Sequence, residues 1–162
     1  MRRSDDTIIA ITGGAGYVGS QCAAALAPRG YRVVVIDRDE AVSRRTFADS
    51  RITVRAGDLR DPAFAAGAIE GAALILHCAA RIGASTYMRD FQADILADNA
   101  LIDAALYPAA VAAGKPAVVY ASSSMVFQHA PVFPYREEDL IRTPPPTLGE
   151  HTGEILAELG YP

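Results

Sequence analysis

Gly13, Gly16 and Gly19 recur at a spacing of three, and a carboxylate, Asp37, follows about twenty residues later. Glycines at this interval suit one kind of chemistry: they let backbone amides come within hydrogen-bond reach of a diphosphate. Gly13 would make a sharp exit from a strand, Gly16 would remove the Cβ that blocks the pyrophosphate, and Gly19 would let a helix sit close on a sheet. The N–H groups at the start of that helix, around Tyr17 and Val18, would face the phosphates with the helix dipole favouring negative charge. Asp37 is spaced to accept hydrogen bonds from both hydroxyls of an adenosine ribose and to repel a 2′-phosphate. It therefore argues for NAD over NADP. Arg38 softens that preference, because a guanidinium there can receive the phosphate. The alternatives are a glycine-rich turn without a ligand and a carboxylate that is only a solvated strand end.

These residues need strands and helices to hold them. The apolar run from Ile8 to Ile11 reads as a buried strand, and the alanine-rich Gln21 to Leu26 as a helix stopped at Arg29 and Gly30. Tyr31 to Ile36 is a second buried strand ending at Asp37. Asp39 to Asp49 is polar and reads as a short helix. Ile52 to Ala56 alternates as a third strand, Asp61 and Pro62 cap and open a helix over Ala63 to Ile69, and Ala73 to His77 is a fourth strand. Phe91 to Ala113 is a long alanine-rich helical pattern that Pro108 should kink or divide. Ala117 to Ala121 is a fifth strand. Alternating strands and helices predict an α/β fold: a Rossmann-type, doubly wound parallel sheet in order 3-2-1-4-5 with right-handed crossovers.

Composition narrows the classes. The chain has 162 residues, 51% apolar and 21% charged, which suits one soluble domain with a real core. A net charge of −4 with no basic block gives no case for nucleic acid or an anionic membrane. No run approaches membrane-spanning length, and Met1 to Asp6 lead into a strand too short for the apolar region of a signal sequence, so a cytoplasmic location is expected. Cys22 and Cys78 fall in a helix and at a strand end, as small core residues rather than a disulfide or metal site. No metal site is expected.

The segment from Thr12 through Gly13, Gly14, Ala15, Gly16, Tyr17 and Val18 to Gly19 resembles the opening of the extended short-chain dehydrogenase/reductase family. More narrowly, it resembles the NAD-dependent nucleotide-sugar epimerases and dehydratases. The likeness covers about residues 7–147, expected as an NAD(P)-binding Rossmann domain, with 148–162 an atypical tail. It implies that Asp58 and Leu59 border the adenine, and that Cys78, Ala79 and Ala80 after His77 lie along the nicotinamide side. His77 itself receives no chemistry. Asn99 would join the loops after the fourth and fifth strands, and Ile82 to Tyr87 would face the substrate. In the serine run Ser122 is structural, and Ser123 is the hydroxyl that bonds the sugar oxygen undergoing oxidation. By the same likeness, the activity is oxidation at a nucleotide-sugar carbon, followed by epimerisation or dehydration and re-reduction. Relatives pair through two long helices, so 91–113 could support a homodimer. Its alanine face is equally explained by packing on the sheet.

The resemblance then stops. Members use a Tyr-x-x-x-Lys pair as general base, and no lysine follows Lys115 here. Tyr135 lies on a proline-rich loop without a partner lysine. Met125 stands where some epimerases carry a proton-transferring Cys. Residues 142–161 resemble the C-terminal tail of family III CoA-transferases. The reading frame would then be a truncated or fused epimerase lacking the substrate domain. The alternative is a divergent end forming a helix from Glu150 to Leu159. The expectation is NAD binding with little or no turnover by this chain alone. A catalytically silent NAD-binding or interaction module is the other reading.

Overall fold

The computed structural model describes residues 7–39, 47 and 49–123. The chain divides into two compact units, 1–121 and 122–162, and the fold below is that of the first. The expected helix between Asp39 and Asp49 lies almost entirely outside the described residues. So do Met125, Tyr135 and the tail with its helix and its CoA-transferase likeness.

The apolar runs form the sheet. Strands β1 (Ile8–Thr12), β2 (Arg32–Asp37), β3 (Ile52–Ala56), β4 (Leu74–His77) and β5 (Ala117–Tyr120) are all parallel, in the order β3-β2-β1-β4-β5. This is the predicted topology. The central strands are covered on both faces, which is why they are continuously apolar rather than alternating. Ile9, Ile11, Val33 and Val35 pack with Ala23 and Ala27 on one face. Ala10, Val34, Ile36 and Ile75 pack on the other with Ala65, Ala68, Leu106 and Ala109. Helix α1 (Tyr17–Leu26) supplies the first cover; α2 (Pro62–Ala68) and α4 (Gln92–Ala112) supply the second. A short helix α3 (Ser85–Asp90) precedes α4.

Local chemistry sets the helix ends. Asp61 caps α2, its carboxylate accepting from Ala63 N–H at 2.9 Å, with Pro62 in the first turn. Arg55 reaches the other end of α2, donating to the carbonyls of Gly67 (2.6 Å) and Ala68 (2.9 Å).

Two expectations about α4 need correcting. Pro108 does not start a new segment, for the helix runs unbroken over 21 residues. Burial of Ala105, Leu106, Ala109 and Ala110 on both sides of the proline holds the axis together against the missing N–H. The same helix, with mean hydropathy 1.3, is long and apolar enough by length and composition to cross a membrane, contrary to the expectation that no run approached that length. Here it covers the sheet, and its Asp98, Asn99 and Asp103 are engaged by the strand-end loops.

Candidate functional site: a cleft at the carboxyl ends of the strands

Parallel register brings the C-terminal ends of β1, β2 and β4 to one edge of the sheet, with Thr12 opposite both Ile36 and His77. A cleft of about 620 Å³ opens there. It is lined by Gly13, Gly16, Tyr17, Val18, Gly19, Asp37, Arg38, Asp58, Leu59, Cys78, Ala79 and Ala80. Those twelve are the expected cofactor residues apart from Asn99 and Ser122, drawn together from four separate strand ends. Tyr17 and Val18 stand out into solvent, at 84% and 54% exposure.

The glycine turn is a close backbone contact. Gly13 has φ +64°, and a Cβ there would lie 2.8 Å from the backbone of Cys78 and Ala79. A Cβ on Gly19 would lie 2.5 Å from the Gly13 carbonyl oxygen. Helix α1 begins at Tyr17 with no side-chain cap on Gly16, and its first internal bond of this turn runs from Ser20 N–H to Gly16 C=O. The amides of Tyr17, Val18 and Gly19 therefore have no partner inside the helix. A helix start of this kind suits an anion.

Asp37 is fastened over that turn. Its Oδ2 accepts from Ala15 N–H at 3.0 Å and its Oδ1 from Asp39 N–H at 3.1 Å, which fixes the carboxylate while leaving lone pairs toward the cleft. Arg38 is exposed beside it. A dinucleotide fits this arrangement: a cradle that side chains would fill, free amides for phosphates and a fixed acceptor for ribose hydroxyls.

Charged residues that sequence reading missed complete the wall. Arg60 wraps Asp58 through Nε (3.0 Å) and Nη2 (2.5 Å), and reaches Asp98 on α4 at 2.6 Å. Asp98 also takes Arg81 at 2.5 Å. Arg81 in turn holds the Tyr87 hydroxyl, and Tyr87 stacks on Phe91 with centroids 4.8 Å apart. The Arg60 guanidinium, with its backbone N–H, pulls the Asp58 carboxyl down to about 2. Arg81 and then Arg60 lower Asp98. Burial, with a smaller contribution from Cys22, raises the Cys78 thiol. The available clue was charge at the mouths of consecutive strands: Arg60 two residues after Asp58, Arg81 directly after Ala80, and Asp98 beside Asn99.

Asn99 bonds the loop after β4. Its Oδ1 accepts from Arg81 N–H at 2.6 Å and its Nδ2 donates to Arg81 C=O at 3.1 Å. Both bonds thus secure the loop after β4. Among the described residues no bond from Asn99 to the loop after β5 is found. Ser122 and Ser123 follow β5 as exposed residues of the second unit. His77 is buried and bonded to Thr12 and Asp103, a packed residue with no access to the cleft, as expected. Among the described residues there is no cluster of three potential metal ligands.

Comparisons with known proteins agree with the geometry. UDP-glucuronate 4-epimerase 1 of Arabidopsis thaliana is 32% identical over 149 residues, covering 86% of this chain and 35% of the plant protein. A solved UDP-galactose 4-epimerase superposes with TM-score 0.70 at 30% identity, covering 82% of this chain and 44% of the other. The structure of MoeE5 in complex with UDP-glucose and NAD superposes with TM-score 0.62 at 29% identity, covering 74% and 37%. The chain spans about a third of the length of the curated relatives it matches. Residues 9–151 match the model of the NAD dependent epimerase/dehydratase family, and it is to this family that the chain belongs.

Proposed function

We propose that this chain forms the NAD-binding part of a nucleotide-sugar epimerase or dehydratase, with NAD preferred over NADP. The observation that carries the reading is the Asp37 carboxylate, tied by Ala15 N–H above the free amides of α1. Both ribose hydroxyls can donate to it, whereas a 2′-phosphate would meet a fixed negative charge. Tyr17, Val18 and Gly19 amides would hold the pyrophosphate, and Asp58 with Leu59 the adenine. Cys78, Ala79 and Ala80 would border the nicotinamide. NAD, when bound, supplies the hydride acceptor. Ser123 would orient the sugar oxygen. Among the described residues none is placed as general base, so turnover by this chain alone is expected to be weak or absent.

A homodimer through α4 belongs to the same proposal. Leu96, Leu101, Tyr107 and Val111 are 71%, 52%, 39% and 60% exposed, and with the exposed Ala93, Ala97, Ala100 and Ala104 they make one apolar stripe at helical spacing.

Calorimetric titration with NAD and with NADP tests the reading. NAD should bind more tightly, and Asp37→Ala should weaken it by about tenfold or more through loss of the charged acceptor. Failure to bind either dinucleotide would remove the proposal, and tighter NADP binding would reverse the cofactor choice. A silent NAD-binding module is the second reading, favoured by the lack of a Tyr-x-x-x-Lys pair in the sequence. It predicts NAD binding with no conversion of any UDP-sugar in a panel, read from the sugar composition after incubation.

A further inference from the structure

Beneath the cleft, parallel register sets Thr12, His77 and Tyr120 in one row across β1, β4 and β5. The His77 ring is fully buried, with Tyr120 and Tyr107 edge-on to it at centroid distances of 5.3 and 6.1 Å. Its two nitrogens are both engaged. Nε2 lies 2.9 Å from Asp103 Oδ1 on α4, and Nδ1 lies 2.6 Å from Thr12 Oγ1. Thr12 Oγ1 also accepts from Ala79 N–H at 3.2 Å.

Only one arrangement of protons on a neutral ring satisfies every atom in this chain. An ionised carboxylate can only accept, so Nε2 carries the hydrogen facing Asp103. Nδ1 is then a lone pair, and the Thr12 hydroxyl donates to it. The hydroxyl oxygen turns its own lone pairs toward Ala79 N–H. In the other tautomer a bare Nε2 would face the carboxylate, and the Thr12 hydrogen would lose its acceptor in a buried place. The end of the chain matters to the cleft, because Ala79 is the backbone against which Gly13 is pressed, at 2.8 Å from where its Cβ would be.

We infer that Asp103 is a positioning residue for the dinucleotide cleft: it fixes His77 in the Nε2–H form and so aligns the Thr12 hydroxyl that holds the Ala79 amide against the glycine turn. The inference rests on the dinucleotide reading for its functional consequence, but not for its proton arrangement. Asp103 does not line the cleft and acts only through His77 and Thr12.

The test compares the unsubstituted chain with Asp103→Leu, Asp103→Asn and Thr12→Val. Imidazole 15N NMR reads the tautomer, amide exchange reads Ala79, and calorimetry reads NAD. The unsubstituted chain should carry its ring hydrogen on Nε2. Asp103→Leu should populate Nδ1–H, speed exchange at Ala79 and weaken NAD by about tenfold. Asp103→Asn, whose side-chain oxygen still accepts, should restore all three readings. Thr12→Val keeps the shape without the hydroxyl, and should free the Ala79 amide with a similar loss of affinity even if the leucine variant fails to fold. A ring hydrogen on Nδ1 in the unsubstituted chain, alone or together with Nε2, would overturn the inference. So would unchanged Ala79 exchange in Asp103→Leu and Thr12→Val, or an asparagine variant as impaired as the leucine one. Should NAD fail to bind the unsubstituted chain, the functional reading falls, while tautomer and amide exchange still decide the network.

Discussion

Two glycines inside helices should respond to the same substitution with opposite signs. Gly67 sits in α2 with nothing within 4 Å of where a Cβ would be. Gly67→Ala should therefore show the bare helix-propensity gain of about 0.5–1 kcal/mol, as alanine loses less backbone entropy than glycine. Gly19→Ala carries that gain too, but its Cβ would lie 2.5 Å from the Gly13 carbonyl oxygen and 2.7 Å from Gly14 Cα. Both are backbone atoms, so no side-chain rotation relieves the contact. Either α1 lifts or the glycine turn shifts, at a cost near the upper end of the ~1–3 kcal/mol typical of overpacking. The net should be destabilising by about 2 kcal/mol, a fall in Tm of roughly 4–8 °C for a chain of this size. Gly67→Ala should raise Tm by a few degrees. Thermal melts followed by circular dichroism read both, and titration of Gly19→Ala with NAD should show weakened binding because the phosphate-facing amides move with the turn. A Gly19→Ala protein as stable as the Gly67→Ala one would refute the reasoning. The close seat of α1 on the turn would then not be what the glycine serves.

Acid should weaken the Asp58–Arg60 pair in a defined window. Arg60 depresses the Asp58 pKa in the folded chain from 3.8 to about 2, so its stabilisation is full above about pH 4 and fades as pH falls toward 2. Both side chains are about two-fifths exposed, 44% and 40%, so screening holds the effect below about 1 kcal/mol. Urea midpoints across that range should slope less steeply for Arg60→Gln than for the unsubstituted chain; equal slopes would count against the pair. Asp61→Ala removes the acceptor for Ala63 N–H and should cost about 1 kcal/mol in denaturant unfolding, with Asp61→Ser recovering most of it. Burial raises the Cys78 thiol, so alkylation at neutral pH should be slower than for an exposed cysteine and should quicken as pH rises. Labelling at pH 7 as fast as that of a model thiol would contradict this.

The sheet was legible because its information is local. Ile8 to Thr12 and Val33 to Ile36 can only be buried strands, and glycine spacing places the turn between strand and helix. The cleft was legible for the same reason, since each of its backbone-lined parts follows directly from a strand end. What escaped reading was side-chain pairing at long range. Arg60 meets Asp98 across 38 positions, and His77 meets Thr12 across 65. No periodicity records such partners, because they are chosen by which loops the fold brings side by side. That the helix continues past Pro108 escaped reading for a related reason: the proline's local cost is real, but the burial around it is set by tertiary packing.

That proline has a further consequence. Without an N–H at position 108, the carbonyl of Ala104 has no internal donor, and the ladder of α4 is interrupted between two differently anchored halves. Residues 92–104 are held by ion pairs from Asp98 to the two arginines and by the hydrogen bond between the His77 ring and Asp103. Residues 105–112 are held by Leu106, Ala109 and Ala110 in the core. Raising ionic strength should loosen the first half and leave the second untouched. One continuous helix would thus behave, toward salt, as two.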